Sequence, residues 1–275
     1  MIDRQTGQNP LPSLTSALRP PWLAGAIWRR RLTSGFTLIE LLVVIGIMII
    51  VATFIAPAFT NLKSAGDVTD AAYTIKGVLE QARTHAMANN TFMWVGFFEE
   101  DSSKSSTNPA TAGTGRVVIS TMASRDGTSV YPSNSPATID PTRIYQVNKL
   151  TKLDNIHLAT LSDGDGTGTT FSKRPPALYD TARIGDTTPP NPSLSPFQYP
   201  VASPSPAPSA QYTFVKAIEF NPRGEGRIDN SNYTLKTVCE IGLRPTHRTA
   251  VDNNSANVIA IQFRAIGGNF QIYRP

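Results

Sequence analysis

The chain has 275 residues, 40% of them hydrophobic and 16% charged, with a formal net charge of +5. That length admits one membrane segment and one globular domain with its own core. The basic balance does not make the chain a polyanion binder, because residues 1–35 hold five arginines against Asp3 alone and the remainder is near +1.

The first predicted element follows the arginines. From Phe36 to Phe59 the chain is apolar except for Glu40, and Leu41 to Ile55 carries no charge. About eleven Leu, Ile, Val or Phe residues in that run favour insertion into lipid by roughly 3–6 kcal/mol. As a helix, 36–59 would extend about 36 Å, enough for the hydrocarbon core. A buried core helix would not be apolar on every face over such a length. A secretory signal ending at Ala56 or Ala58 would need an apolar region of only about 7–15 residues. Arg29, Arg30 and Arg31 precede the segment and Lys63 alone follows it closely, so the N-terminus is expected inside and the bulk of the chain outside. A plain anchor leaves Glu40 unexplained, since a carboxylate in a membrane segment is costly and calls for a partner.

The stretch "GFTLIELLVVIGIM", Gly35 to Met48, resembles the type IV prepilin cleavage and methylation motif. The resemblance covers a basic leader ending in Gly35, then Phe36, then Glu40 four residues on, then the apolar run. It implies a leader at 1–35, cutting between Gly35 and Phe36 by a prepilin peptidase, and N-methylation of Phe36. It also implies that Glu40 meets the Phe36 amine of a neighbouring subunit, so that two charges costly in lipid become acceptable as a pair. Pro57 stands where such proteins commonly kink the long helix, and proline removes an N–H and crowds the preceding turn.

Residues 60–90 read as the amphipathic continuation of that helix. Ala72, Ile75, Leu79, Ala82 and Ala86 recur at helical spacing, with Lys76, Glu80 and Arg83 on other faces. Asp70 is a candidate N-cap if a new helix starts there. Beyond Asn90 the helical period stops. "TFMWVGFFE", "RVVISTM", "RIYQV", "NIHLAT", "YTFVKAIEF", "LKTVCEIGL", "NVIAIQFR" and "NFQIYR" are short and rich in β-branched or aromatic residues, as strands are. They predict a β-rich head at 91–275, interrupted at about 180–210 by a disordered Pro/Ser-rich excursion. Cys239 falls in one of these strands as a buried thiol.

Chemistry-bearing clusters are sparse. His85, His157 and His247 are far apart, and no Walker-type loop or G-x-S-x-G elbow is present, so neither an enzyme nor a cofactor is expected. Asp163 and Asp165 in "SDGDGTGTT" have the alternate spacing of a calcium loop. The twelfth position from Asp163 is Arg174, where an EF-hand needs a glutamate, so no metal site is assigned. Arg223, Arg227, Arg244, His247 and Arg248 could touch phosphates, but aromatics are not interleaved with them, and nucleic acid is not favoured as a partner.

The segment "AAYTIKGVLEQARTHAMANN", with "IEFNPRGEGRI" and "NVIAIQFRAIGGNFQIYRP", resembles the H-type minor pseudopilins of type II secretion. That resemblance implies an α+β, pilin-like fold with a long N-terminal helix, half membrane-spanning and half amphipathic, packed on a β-rich globular head. It implies a non-enzymatic subunit of the bacterial inner membrane with its head in the periplasm. Its partners would be other pseudopilins through the N-terminal helix, a prepilin peptidase and an inner-membrane assembly platform. A minor type IV pilin of a DNA-uptake or adhesion pilus shares every one of the N-terminal residues and stands as the alternative. A surface protein that uses only the anchor stands behind both.

Overall fold

The structure, a computed structural model, describes residues 35–129, 140–164, 166–178, 182–186, 197–201, 210–228, 235 and 237–275, with the side chains of 55–64 outside that description. The leader at 1–34 therefore lies outside the described residues. The chain divides into two units, Met1–Val51 and Ala52–Pro275. The described part of the first is the start of a single long helix, α1 (Leu38–Ala88). Its apolar side chains from Leu38 to Phe54 are exposed all round, Leu38 at 82% and Phe54 at 76%.

In the second unit α1 changes character. Val68, Ala71, Ala72, Ile75, Leu79, Ala82 and Ala86 are buried, while Asp70, Tyr73 and Glu80 face outward. The five positions read from helical spacing are all in this stripe. Each fully buried Ile or Leu contributes about 1.5–3 kcal/mol. Asp70 does not cap a new helix: α1 has no start there, and the side chain sits on the exposed face mid-helix. Pro57 lies within α1, and its ring is among the side chains outside the description.

Among the described residues the stripe packs on a mainly antiparallel sheet of eleven strands. In chain order these begin with β1 (Met93–Asp101), β2 (Gly115–Ser124), β3 (Ile144–Gln146) and β4 (Thr151–Leu158). The short β5 (Arg183–Ile184) pairs in parallel with β10 (Cys239–His247). The hairpin β6 (Phe197–Tyr199) and β7 (Tyr212–Phe214) forms a separate two-stranded sheet. The remaining strands are β8 (Lys216–Phe220), β9 (Gly226–Arg227), β11 (Ala250–Val251), β12 (Ile259–Phe263) and β13 (Phe270–Tyr273). The main path runs β13-β12-β10-β4-β2-β1-β8-β9, with β3 on β2 and β11 on β10.

Side chains alternate across a strand, so β1 feeds two cores. Met93, Val95 and Phe97 join the α1 stripe, with Ile119, Phe220, Ile241, Leu243 and Phe263. Trp94 turns to the opposite face, where Val118, Met122, Phe197, Tyr212 and Phe214 enclose it. This second core overturns part of the reading of 180–210 as a disordered excursion. Arg183–Ile184 and Phe197–Tyr199 are strands, and Phe197 is buried, because an apolar island interrupts the Pro/Ser composition. Residues 187–196 lie outside the described residues. Gly96 makes the cover possible: a Cβ there would come within 2.4 Å of Phe197 Cζ and 2.7 Å of Phe214 Cβ. "YTFVKAIEF" divides at Val215 for the same reason, its first half pairing with β6 and its second with β1.

Arg83 ties α1 to two turns. Its Nε donates to Gly224 O at 2.9 Å, and its terminal nitrogens donate to Gly268 O and Gly267 O at 3.3 Å. All three glycines have positive φ, at 77°, 59° and 87°, which brings their carbonyls inward without a Cβ penalty. A Cβ on Gly268 would meet Arg83 Nε at 2.3 Å.

Candidate functional site

The residues singled out by the motif surround the start of α1. Gly35 is exposed, and a Cβ placed on it would meet nothing within 4 Å. Among the described residues nothing therefore demands glycine at this position. Phe36 is 80% exposed, so among the described residues nothing covers the Gly35–Phe36 peptide bond.

Thr37 and Glu40 then close on each other. The Thr37 N–H donates to Glu40 Oε2 at 2.9 Å, and the Thr37 hydroxyl donates to the same oxygen at 2.7 Å. In return the Glu40 N–H donates to Thr37 Oγ1 at 3.3 Å. Leu41 N–H makes the first helical bond to Thr37 O at 3.1 Å. This is a capping box, in which an N-cap hydroxyl and a carboxylate three residues on satisfy backbone donors that would otherwise lack partners. The signature Thr-x-x-Glu stands in "TLIE", Thr37 to Glu40; reading Glu40 through its expected external partner passed over it. The carboxylate also complements the positive end of the helix dipole. Within one chain, then, Thr37 is the partner that Glu40 calls for. Both Thr37 bonds fall on Oε2, which leaves Oε1 available to a second donor.

Among the described residues no helix is long and apolar enough to cross a membrane; the side chains of 55–64 lie outside that description.

The other candidates behave as parts of the fold. Asp165 lies outside the described residues. Asp163 Oδ1 accepts from the Ala177 N–H at 3.0 Å and pairs with Arg183 Nη2 at 2.6 Å. Among the described residues no group of three or more His, Cys, Asp or Glu is placed to hold a metal. Arg174, at the twelfth position, is itself a partner within the fold. Its Nε pairs with the buried Glu240 Oε2 at 2.9 Å, Nη1 donates to Phe171 O at 3.1 Å, and Nη2 donates to Ser162 O. The guanidinium also lies 4.2 Å from the Phe171 ring centre. The buried charge is thus paired and hydrogen-bonded.

The basic residues near the C-terminus do not share one open surface. Arg227 is buried against Glu219, Nε to Oε1 at 2.8 Å, and Trp94 Nε1 donates to Glu219 Oε2 at 3.0 Å. Burial pushes the Glu219 carboxyl up, and Arg227 and Trp94 oppose that shift. Arg244 Nη1 donates to Asn253 O at 2.8 Å, and Arg223 pairs at the surface with Glu225 at 3.5 Å. His247 and Arg248 are exposed at the turn between β10 and β11. Cys239 is a free, buried thiol on β10.

Comparison with known proteins gives one match. A family model described as the prokaryotic N-terminal methylation motif covers residues 30–56. It includes the open Gly35–Phe36 bond and the Thr37–Glu40 box, and it supports a type IV prepilin-like protein with a membrane-anchored N-terminus. No curated protein and no solved structure matches the chain.

Proposed function

We propose that this chain is a structural minor pseudopilin of the H type in a type II secretion pseudopilus. The observation that carries the reading is the start of α1. An unencumbered Gly35–Phe36 bond stands four residues before a carboxylate that is capped on Oε2 and open on Oε1, at the head of an exposed apolar helix. In this reading a prepilin peptidase cuts after Gly35 and the new Phe36 amine is methylated. The segment 36–59 spans the inner membrane with the three arginines on the cytoplasmic side. The head stands in the periplasm, and an assembly platform adds the subunit to a filament through the stem helices.

The same geometry gives the assembly step. The Thr37 bonds keep Glu40 satisfied while the subunit waits in lipid, where an unpaired carboxylate is costly. A neighbour's Phe36 ammonium then approaches Oε1, and the pair fixes the register of one stem against the next. No catalysis is assigned to the chain, since its residues hold, pair and pack.

The experiment is to isolate the mature protein from its host and determine its N-terminal peptide by mass spectrometry. The expected result is N-methyl-Phe36; an N-terminus at Met1, or one beyond Phe59, overturns the proposal. Deleting the gene then separates the systems. Loss of protein secretion supports the pseudopilus, whereas loss of DNA uptake or adhesion with secretion intact assigns the subunit to a type IV pilus.

A further inference from the structure

The sheet ends at β13, whose pairing among the described residues is with β12 alone. Along an antiparallel strand, alternate N–H and C=O groups point away from the neighbour, so the outer edge of Phe270–Tyr273 presents backbone groups for a further strand. The strand itself has no proline and no inward charge: Phe270 is buried in the α1 core, Gln271 is exposed, and Ile272 packs against that core.

The C-terminal segment that forms this edge carries one sign of charge. From residue 253 to 275 the chain contains Arg264 and Arg274 and no Asp, Glu or Lys. Both arginines are exposed, one at each end of the β13 hairpin. Arg274 reaches the Thr69 hydroxyl of α1, next to the exposed Asp70, and among the described residues neither guanidinium is paired with a carboxylate.

A cavity of about 270 Å³ opens beside β13, with Gln262, Arg264, Asn269, Gln271 and Tyr273 in its wall. This wall has one guanidinium, three side-chain amides and no carboxylate. The Tyr273 hydroxyl donates to Gln271 Oε1, which leaves the Gln271 amide hydrogens to donate elsewhere. Gln262, 3% exposed, already donates its Nε2 to Pro175 O and Glu240 Oε2. With the Gln262 donors thus occupied, what the cavity offers is the Arg264 guanidinium with the Asn269 and Gln271 amides, donors that suit a carboxylate.

We propose that β13 is a docking edge for an extended acidic segment of another polypeptide. The segment adds as a strand to Phe270–Tyr273 and places a Glu or Asp side chain in the cavity beside Arg264, with Arg274 meeting a second acid along the strand. Main-chain hydrogen bonds supply attachment, and the two arginines select the charge.

The test uses the full chain in detergent micelles and two blocked octapeptides, one alternating valine with glutamate and one alternating valine with lysine. Hydrogen exchange and fluorescence anisotropy are read together. The expected result is slowed exchange at Phe270–Tyr273 with the glutamate peptide, which binds about tenfold more tightly than the lysine peptide, as two partly exposed ion pairs allow. Arg264→Glu with Arg274→Glu, both surface changes, should reverse that preference. Absence of protection at β13 at millimolar peptide, protection confined to another element, or equal binding of the two peptides overturns the proposal.

Discussion

Arg83 shows how much of the fold one side chain can secure. Its guanidinium is the shared donor for Gly224, Gly267 and Gly268, carbonyls from two turns far apart in the chain. Replacing it by methionine keeps the aliphatic stem and removes every one of these bonds. Hydrogen bonds to a charged donor are worth about 1.5–3 kcal/mol, so Arg83→Met should lower unfolding stability by about 2 kcal/mol. Urea denaturation checks this, and an unchanged midpoint would show that the turns hold without it. The sequence placed Arg83 off the apolar stripe and within the stretch that resembles the H-type minor pseudopilins. Its role could not be read there, because the three acceptors are backbone atoms and carry no side-chain signal.

Strand β1 belongs to two cores at once, and Gly96 is where they constrain each other. The position lies in the middle of "MWVGFFEED", where glycine has poor strand propensity and no side chain to pack. Its reason is the approach of the β6–β7 hairpin from the far face. Gly96→Val should destabilise the head by about 1–3 kcal/mol through overpacking against Phe197 and Phe214. Limited proteolysis should show the hairpin released first; cleavage that instead begins in α1 would contradict this division of the core. The eight strand segments were legible from β-branched and aromatic runs, and the buried stripe of α1 from its spacing. What escaped were β5, β9 and β11, two residues each and too short to carry a period. Strand β6 escaped too, because Phe197 and Tyr199 are diluted by prolines and serines on both sides. At the start of α1 the reverse held: both halves of the Thr37–Glu40 box are present in the sequence, but the anomaly of a charge in an apolar run drew the interpretation outward, to a second subunit.

At the scale of the whole molecule, Glu40 has two relations that differ in cost. Within the chain it caps its own helix; in the proposed filament it also receives a neighbour's amine. Glu40→Leu removes both, and an apolar residue at this depth favours the membrane. The variant should insert and be cut after Gly35 much as the parent is, while its share in sheared filaments falls at least tenfold, as losing one partner of a desolvated pair implies. Immunoblots of membrane and filament fractions decide it. Equal incorporation would remove Glu40 from assembly, and loss of cleavage would place it in protease recognition.

The core beneath α1 has a further consequence for synthesis. Ile75 and Leu79 share one core with Ile261, Phe263 and Phe270, which lie about 180 residues or more further along the chain. A ribosome delivers the stem before its cover. Until β12 and β13 are made, the oily flank of the stem lacks that part of its cover.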